Sequence, residues 1–483
     1  DVMLSTKAFG MGVDIADIQT VCHFAPTGNL ADYVQEIGRA ARRQDIQGRA
    51  VTAFAPSDIR YMSTLYRLSE LRQFQIRELL RKVTETLRRK NSRFITVSPD
   101  EFSYLFPGDD DSLQNKVKNG LLLLGSDLEA RYGFSALRML ATDSQESINY
   151  VNVPEQAEKK FLHKYADYVE YQPDETRLVI RSRNRFFASD TVVRNSGKIY
   201  RVDMGALWRG CFQDLTYQQF KRKFFAGDLF DCDGDQPLVP RSFISVQYAK
   251  PFDDAVEDLK KAVHAISNVF RKYKLQKQAF SQAEFRDALA EELGGTFTRL
   301  DFCDLLLDMF VTDAPQKLGG MGTDKTKFIS FRKAADGETG SYRVLNTGYI
   351  TLESHFMHLV AQAAPDDNGL YQAYIPAGRN GKQPSVMRLY SLLELLGIAS
   401  YTMEGGRGQD IPLFAADPAL LEALHAGKYT NHQVEDIHRR HQLAEKTMRA
   451  FLSGSFDSDT RWDMIEEYFL GRSFLKPEEI AEK

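Results

Sequence analysis

The stretch DYVQEIGRAARR, residues 32–43, places polar and apolar side chains at separate helical positions. On an α-helix at 100° per residue, Gln35, Arg39 and Arg42 lie at positions i, i+4 and i+7, within about 60° of one another. The apolar side chains gather on a different face, and they are Leu30, Val34, Ile37 and Ala41. The spacing therefore predicts a helix that buries one stripe and presents two guanidinium groups and an amide on another.

Asn29 is the predicted N-cap of this helix, and Pro26–Gly28 before it are expected to form a loop. Gly38 keeps the side-chain bulk low beside the arginines. Two convergent arginines suit a polyanion, because each guanidinium group stays charged and can bind two phosphate oxygens at once. A surface helix with ordinary salt bridges is the alternative interpretation of the same residues.

The chain before this helix predicts two buried strands with a glycine-rich loop between them. Val2–Leu4 and Val21–Phe24 are apolar runs, and Gly10 and Gly12 lie in the loop. Glycines there would let backbone amides approach a phosphate closely. Arg49–Phe54 is a third candidate strand. The order strand, loop, strand, helix, strand predicts an α/β domain with a largely parallel sheet.

Two of these segments resemble motifs V and VI of the superfamily 2 helicases, with the RecQ-like enzymes as the nearest group. They are STKAFGMGVDIADIQTV (5–21) and YVQEIGRAARR (33–43), and the resemblance covers residues 1–57. In that family both motifs belong to the second RecA-like domain and face ATP across a cleft between two motor domains. The resemblance implies that Arg39 and Arg42 are arginine fingers, the catalytic cations that touch the terminal phosphates.

The resemblance also implies roles for the residues around the two arginines. Four positions are expected at the ATP site, with Asp14 also linking it to the nucleic-acid track, and they are Gly12, Asp14, Gln35 and Gly38. Three are expected along the nucleic-acid backbone, and they are Ser5, Thr6 and Lys7. DNA is the implied nucleic-acid partner.

Neither a Walker A sequence nor a DExH box occurs in the 483 residues, and relatives bind ATP and Mg²⁺ chiefly through a first motor domain that carries both. The chain is therefore expected to be the C-terminal portion of an ATP-dependent helicase, without ATPase activity by itself. For the full-length enzyme the resemblance implies 3′–5′ unwinding of DNA. An RNA helicase, or a non-motor nucleic-acid or partner-binding module with a degenerate helicase remnant, is the alternative.

The sequence departs from the RecQ pattern at two points. Arg43 stands where those enzymes usually have an acidic residue. The second point concerns the four-cysteine zinc module that commonly follows motif VI in those enzymes. Such a module is not expected here, because the cysteines of this chain are far apart and form no CxxC pair. They are Cys22, Cys211, Cys232 and Cys303. No metal site is therefore expected.

Composition limits the class of protein. A length of 483 residues suits three or four domains at about 150 residues each. The formal net charge of −4 requires any nucleic-acid contact to come from local patches. Scattered cysteines and the lack of a signal-peptide pattern favour a cytoplasmic location, and no apolar run approaches the ~20 residues that span a bilayer.

The expected fold is α/β followed by α+β, with a truncated RecA-like parallel-sheet domain and then helical and winged-helix-like accessory domains. The predicted segments are 1–57 (C-terminal part of the second RecA-like domain), 58–96 (basic helical bridge), 97–250 (α+β region with a basic β segment), 251–350 (winged-helix-like domain) and 351–483 (C-terminal winged-helix-like domain with a helical tail). Ser281 and Gly294 are the expected ends of one helix, and Gly405–Gly408 the exposed wing tip of the last domain. Its tail is a possible site for a protein partner.

The basic β segment runs from Arg177 to Arg201 and holds seven cations against one acid, Asp190. Aromatic side chains lie among these cations, and such aromatics can stack on bases. The expected nucleic-acid contacts are Arg181, Arg183 and Arg185. A β region with a basic solvent face is the alternative.

Neutralising Arg181, Arg183 and Arg185 together is expected to weaken DNA binding and to flatten its salt dependence. Every duplex phosphate that the protein no longer neutralises lowers the slope of log K against log salt concentration by about 0.9. Binding isotherms of the chain at several salt concentrations measure that slope. An unchanged slope would return the segment to the solvent-face interpretation.

Overall fold

The structure, a computed structural model, describes most of the chain, which divides into two compact units. The described residues are 2–4, 15, 17–43, 45–58, 71–106, 113–140, 148–173, 197–230, 238–294, 303–311, 328–333, 340–360, 369–377, 385–406, 408, 410–427 and 429–475. Unit 1 contains Asp1–Gln73 and Thr430–Lys483, and unit 2 contains Phe74–Tyr429.

Helices and strands alternate irregularly along the described residues. The α-helices are α1 (Leu30–Ile37), α2 (Gln73–Lys90), α3 (Leu113–Tyr132), α4 (Glu155–Tyr165), α5 (Met204–Cys211), α6 (Tyr217–Ala226), α7 (Phe252–Gln276), α8 (Gln282–Leu293), α9 (Cys303–Phe310), α10 (Leu352–Val360), α11 (Ser385–Leu395), α12 (Pro418–Ala426), α13 (His432–Ser453) and α14 (Ser458–Phe469). The strands are β1 (Thr20–His23), β2 (Arg49–Thr52), β3 (Phe94–Val97), β4 (Leu137–Met139), β5 (Ile148–Pro154), β6 (Val169–Gln172), β7 (Gly197–Asp203), β8 (Val239–Tyr248), β9 (Ile329–Lys333), β10 (Gly340–Val344), β11 (Tyr371–Pro376), β12 (Ala399–Glu404) and β13 (Ile411–Ala415). None of the helices in these ranges is both long and apolar enough to cross a membrane.

Unit 1 contains the predicted α/β arrangement. β1 and β2 are parallel, with Thr20 opposite Arg49, and α1 connects them. The apolar face of α1 packs against α13 and α14, which come from the other end of the chain. The rings of Tyr33 and Phe451 meet edge to face at a centroid distance of 5.2 Å. The last helices of the chain therefore supply the core on which α1 lies.

A pair of hydrogen bonds joins the Gln73 side chain to the backbone of Asn431 within unit 1. The Gln73 side chain donates to the Asn431 carbonyl oxygen at 2.5 Å and accepts from the Asn431 N–H at 2.9 Å. Asn431 is buried and is also the N-cap of α13, since its side chain accepts from the Val434 N–H at 3.0 Å. One asparagine thus fixes both the start of α13 and the end of the N-terminal segment.

The first predicted strand of unit 1 is wrong. Val2–Leu4 have no strand partner in the described part of the chain, and the side chains of Val2 and Leu4 are 94% and 95% exposed. β1 ends at His23, one residue before the predicted end, and Phe24 is exposed. An apolar strand needs a neighbour on each side and a layer on each face, and the described residues supply neither at Val2–Leu4.

Unit 2 is built on a six-stranded antiparallel sheet. Its strand order is β11–β8–β5–β7–β6, and β12 pairs with the second half of β8. β5 pairs with Val239–Arg241 of β8, so β5 and β12 share one edge of that strand end to end. Helices α4, α5 and α6 cover one face of the sheet, where Phe161, Leu207 and Phe220 are fully buried.

The turn after β12 is buried where β5 and β12 meet on β8. Gly405 has a φ of +74°, and a side chain there would approach the Tyr150 ring to 3.0 Å. Ser242 Oγ donates to the Gly405 carbonyl oxygen at 3.0 Å. The prediction of an exposed wing tip is therefore wrong for Gly405 and Gly406, because this turn closes the gap between two strands of the sheet.

Residues 252–344 contain three helices followed by an antiparallel hairpin of β9 and β10. α8 begins at Ser281, whose side chain caps the helix, and ends at Gly294 with a φ of +61°, as predicted. Phe280, between α7 and α8, forms an antiparallel bridge with Tyr342 of β10. The third helix, α9, packs against α11 and against the short helix Pro99–Leu105.

The structure groups residues 351–483 differently from the single predicted domain. α11, β12, β13 and α12 belong to unit 2, whereas α13 and α14 belong to unit 1. β13 lies between β3 and β4 in a three-stranded sheet, and β12 pairs with β8. These pairings join strands far apart in the sequence, so no local pattern marks them.

α2 has the amphipathic character predicted for the basic bridge, since its apolar stripe is buried. The buried members of that stripe are Ile76, Leu79, Leu80, Val83 and Leu87. One cation is buried with them, because the side chain of Lys82 is almost inaccessible to solvent. A buried lysine needs a counter-charge.

Glu394 of α11 supplies that counter-charge. Lys82 Nζ donates to Glu394 Oε2 at 2.9 Å and lies 3.8 Å from the centre of the Tyr401 ring. Arg81 binds Glu394 as well as Glu78, and the Tyr401 N–H donates to Glu394 Oε2 at 3.1 Å. Burial alone would raise the pKa of Glu394, but Lys82 and Arg81 hold it below its usual value.

Two further carboxyl groups of unit 2 lack comparable partners in the described part of the chain, and they belong to the buried Glu101 and the half-buried Asp410. Glu101 Oε1 accepts from the Ser98 N–H at 3.1 Å, while Glu101 Oε2 and Asp410 Oδ1 have no hydrogen-bond partner in the described part of the chain. Burial raises the pKa of Glu101 to about 7 against the opposing attraction of Lys82. Burial and the repulsion of Glu101 raise the pKa of Asp410 to about 7. Both groups therefore change charge near neutral pH.

The change Glu394→Gln is expected to lower the free energy of unfolding of unit 2 by about 3–5 kcal/mol, because Lys82 then stays buried without its counter-charge. Urea unfolding followed through Trp208 fluorescence measures this. The chain has two tryptophans, so a Trp462→Phe background leaves only Trp208, which lies in unit 2.

The matched control for this prediction is the double change Lys82→Met with Glu394→Leu. It removes both charges and is expected to cost far less than Glu394→Gln alone, since no buried charge is left unpaired. A double variant as unstable as the single one would contradict the assigned role of the pair.

The stability of unit 2 is expected to fall as pH rises from about 4 to about 7, because Glu101 binds its proton more tightly in the folded state than in the unfolded state, where its pKa is about 4.3. Glu101→Gln keeps the acceptor for Ser98 and removes this titration. At pH 8 it should raise the free energy of unfolding by up to about 3 kcal/mol, and at pH 4 by almost nothing. Urea unfolding at several pH values tests this, with the exposed Glu129→Gln as control. If the free energies of unfolding of Glu101→Gln and of the unchanged protein vary with pH in parallel, the role assigned to the titration of Glu101 is wrong.

Candidate functional site

The start of α1 is fixed by the predicted cap. Asn29 has extended backbone angles, and its side chain accepts from the Asp32 N–H at 2.8 Å. The Asn29 side-chain amide also donates to the Asp32 carboxylate at 3.1 Å, and Thr27 Oγ1 donates to the Asn29 carbonyl oxygen at 3.1 Å. These bonds satisfy backbone groups that a helix start leaves unpaired. The prediction of Asn29 as the N-cap is confirmed.

The end of α1 differs from the prediction. The helix stops at Ile37, and Gly38 is its C-cap. Ala41 has a φ of +56°, and its N–H donates to the Ile18 carbonyl oxygen at 3.0 Å instead of to an oxygen of α1. A tertiary hydrogen bond to the segment before β1 thus replaces the helical one. Gln35, Arg39 and Arg42 therefore do not share one helical face, and that part of the prediction is wrong.

The turn after α1 is packed tightly under the segment that leads into β2. A side chain at Gly48 would approach the Ala41 Cβ to 2.9 Å and the Ala40 Cβ to 3.2 Å. The Arg49 N–H donates to the Gln19 carbonyl oxygen at 2.8 Å. The position of Arg39 is therefore determined by backbone contacts on both sides of it, and not by a continuing helix.

Arg39 is half-buried, whereas Arg42 and Gln35 are exposed. Nε of Arg39 is shielded from solvent and has no hydrogen-bond partner in the described part of the chain. A buried donor without a partner costs about 1–3 kcal/mol, and such a group in a folded protein calls for an explanation. A ligand that accepts from this guanidinium group is one explanation.

Arg43 forms its own ion pair close to the site. Its Nε and Nη2 donate to the two carboxylate oxygens of Asp45 at 2.9 Å and 2.6 Å. Both side chains are exposed, and the Arg43 hydrogen bond holds the pKa of Asp45 below its usual value. Arg43, which stands where RecQ-like enzymes usually have an acidic residue, is thus ion-paired with Asp45.

His23 joins three elements of unit 1, and sequence reasoning did not identify it. Its Nε2 lies 2.9 Å from Glu36 Oε2, and its Nδ1 lies 3.4 Å from Thr52 Oγ1. The ring also packs on Tyr33 at a centroid distance of 5.1 Å. β1, α1 and β2 therefore meet at one imidazole, whose partner Glu36 comes three residues before Arg39 in the chain.

Several predicted site residues lie outside the described residues. They are Ser5, Thr6, Lys7, Gly12 and Asp14 from the N-terminal segment and Arg181, Arg183 and Arg185 from the basic segment. Within the described ranges, no group of three histidine, cysteine or acidic residues is placed to hold a metal ion. The described site therefore consists of Gln35, Gly38, Arg39 and Arg42 with the histidine beneath them.

Comparison with known proteins finds helicases similar to the N-terminal segment that contains this site. Residues 1–44 match the helicase conserved C-terminal domain. Over 41 residues the chain is 54% identical to ATP-dependent DNA helicase Q-like 5 of Arabidopsis thaliana, which covers 8% of this chain and 4% of that protein. Over 78 residues it is 37% identical to ATP-dependent DNA helicase RecQ of Bacillus subtilis, which covers 16% of this chain and 13% of that protein.

An RNA helicase is also among the relatives. Over 104 residues the chain is 28% identical to ATP-dependent RNA helicase ddx46 of Dictyostelium discoideum, which covers 21% of this chain and 9% of that protein. The chain thus spans at most 13% of the length of any of these three relatives. No solved structure matches the chain. The two motifs, the parallel strands and these matches together show that the N-terminal segment is similar to the conserved C-terminal domain of helicases, with RecQ-like DNA helicases among its relatives.

Proposed function

We propose that this chain is the C-terminal portion of an ATP-dependent DNA helicase and that Arg39 and Arg42 act on the terminal phosphates of ATP as arginine fingers. The observation that carries the proposal is the half-buried Arg39, whose Nε has no partner in the described part of the chain. An anion at this turn would satisfy that donor. Motif VI in relatives gives the same residue the same role.

ATP and Mg²⁺ would be bound mainly by a first motor domain, with this chain supplying one side of the pocket. When bound, they supply the phosphoryl group that is transferred and part of the neutralising charge. Arg39 and Arg42 would hold the terminal phosphate oxygens, and Gln35 would orient the attacking water. Fixed cations that need no rearrangement stabilise charge as it develops in the transition state.

His23 and Glu36 act as positioning residues in this proposal. Glu36 belongs to the last turn of α1, and its carbonyl oxygen accepts from the Arg39 N–H at 3.3 Å. The contact between His23 and Glu36 therefore holds the end of α1 against β1, and with it the backbone of Arg39. Neither residue is assigned contact with ATP.

DNA is the proposed nucleic acid and 3′–5′ the proposed direction, because two of the relatives are DNA helicases of the RecQ-like type. A cytoplasmic location is proposed from the scattered cysteines; Cys22, Cys211 and Cys303 are free thiols. A protein partner at the C-terminal tail is supported by exposed Trp462 and Phe469 on α14.

Residues 252–344 are proposed to form a winged helix that packs against protein and does not read DNA. The order of α7, the Phe280 bridge, α8, α9 and the β9–β10 hairpin supports the winged-helix assignment. α9 occupies the place of a DNA-reading helix, yet its sequence CDLLLDMF has no cation. Leu305, Leu306 and Leu307 of α9 are buried, so this helix serves the core of unit 2.

In the full-length protein, Arg39→Ala and Arg42→Ala are each expected to lower the turnover number for ATP by about 10³-fold or more, with a smaller change in KM. Each change removes an interaction that forms with charge developing in the transition state. Steady-state ATP hydrolysis in the presence of single-stranded DNA measures both constants.

Arg43→Ala is the matched control, because Arg43 is a neighbouring exposed arginine that is occupied by Asp45. It should leave the turnover number within a few-fold of the unchanged protein. Near-normal hydrolysis by both Arg39→Ala and Arg42→Ala would refute the arginine-finger assignment and favour a non-motor module with a degenerate helicase remnant.

A further inference from the structure

A groove of about 890 Å³ runs along α2 on the surface of unit 2. One wall is α2, from Phe74 to Arg89, and the opposite wall is formed by the end of β8 and the start of β12, with Tyr248 and Ser400. Its floor contains the buried ion pairs of Glu78, Arg81 and Glu394, and Tyr429 closes one side. No described helicase motif contributes to this groove.

Two of the four arginines in the groove are held by protein partners. Arg81 binds Glu78, Glu85 and Glu394. Arg89 donates to Ser400 Oγ at 3.1 Å and also to the Thr402 hydroxyl. Arg81 is thus engaged by acids and Arg89 by hydroxyl groups, so neither is available to a ligand.

The other two arginines, Arg77 and Arg88, are exposed, and their side chains have neither an ion-pair nor a hydrogen-bond partner within the described ranges. They are eleven residues apart on α2, which places them within about 20° of the same helical face and about 16 Å apart along the axis. Two exposed cations at this distance suit an extended polyanion and exceed the reach of one phosphate group.

The cationic surface continues past the end of α2. A second cavity of about 340 Å³ shares Arg88 and is also lined by Asn91, Ser92 and Arg93. Arg93 is exposed, and within the described ranges its side chain too has no ion-pair or hydrogen-bond partner. Arg77, Arg88 and Arg93 therefore form a set of exposed guanidinium groups on and just after α2 that have no partner in the described part of the chain, and we name this set the α2 track.

We propose that the α2 track binds the phosphate backbone of single-stranded nucleic acid, with Phe74 and Tyr248 offering ring surfaces to the bases. Guanidinium groups bind phosphate oxygens strongly because the fork of donors matches them. Aromatic side chains beside a cationic groove are the usual means of holding single strands without sequence preference. The spacing of Arg77 and Arg88 suits a polymer better than a mononucleotide.

The four arginines that line the groove outnumber its three acids, so its charge is positive. Glu78, Glu85 and Glu394 are each bound to Arg81, and Glu394 is bound to Lys82 as well. The choice of nucleic acid over another polyanion rests on the proposed helicase function. The binding itself needs no ATP, so it is measured separately from that function.

Fluorescence anisotropy of a labelled oligothymidylate with the full chain, in the absence of ATP, tests the proposal. The double change Arg77→Gln with Arg88→Gln is expected to raise Kd at least about tenfold at low salt. It should also reduce the slope of log K against log salt concentration by about 1.4, since each single-strand phosphate that the protein neutralises contributes about 0.7. The melting temperature should not change, because neither arginine side chain has a protein partner in the described ranges.

The matched control is Arg138→Gln with Arg222→Gln, which makes the same change in net charge at two exposed arginines of unit 2 outside the groove. It should leave Kd within about twofold. An equal rise in Kd for this control would show a general charge effect and overturn the proposal. So would a Kd and slope unaffected by the Arg77 and Arg88 changes, or no binding by the unchanged chain.

Competition by a poly-glutamate peptide of the same length as the oligothymidylate tests whether the groove binds an acidic protein segment instead. If it competes as well as unlabelled oligothymidylate, and the Arg77 and Arg88 changes abolish that competition, the groove binds an acidic protein segment and the nucleic-acid proposal is wrong. Loss of oligonucleotide binding with normal ATP turnover in the full-length protein would separate a role of this groove from that of Arg39. Normal oligonucleotide binding by the Arg39→Ala variant would likewise show that binding at the groove is independent of Arg39.

Discussion

The contact between Lys82 and Glu394 is the constraint on which unit 2 depends. Two opposite charges are buried between α2 and α11, 312 residues apart in sequence, and neither can be removed alone without leaving the other unpaired in a low-dielectric interior. β12 is tied to the same pair, because the Tyr401 N–H donates to Glu394. The pair therefore joins α2, α11 and β12 at one buried point. The groove above it also depends on the pair, since Lys82 and Arg81 offset most of the negative charge of Glu78, Glu85 and Glu394.

Those parts of the fold that carry a local signal could be predicted from the sequence. Asn29 before an apolar repeat indicated a capped helix, and Ser281 with Gly294 marked both ends of α8. The exact end of α1 could not be predicted, because it is decided by a hydrogen bond from Ala41 to Ile18, a residue that precedes the helix by a whole strand. Local propensity is a weak guide wherever a tertiary contact competes with it.

The grouping of the last third of the chain fails for a related reason. The pattern helix, strand, turn, strand at residues 385–417 resembles a compact module, but each of its strands pairs with a strand that comes far earlier. At the site, motif VI identified Arg39, whereas the pairing of His23 with Glu36 involves two ordinary residues and left no pattern to find. On α2 the cations could be counted from the sequence, but only the structure separates Arg81, which is bound by acids, from Arg77, which is not.

Unit 1 combines segments that precede and follow unit 2 in the sequence, and this affects its co-translational folding. Leu30 and Tyr33 of α1 are synthesised before unit 2, whereas Met448 and Phe451, which cover them, are synthesised after it. Translation of residues 74–429 takes roughly 20–70 s at about 5–20 residues per second. Unit 2 is continuous in sequence and can fold during that interval. The apolar face of α1 remains unburied until α13 and α14 have been synthesised. That face therefore stays accessible to other proteins until α13 has been synthesised.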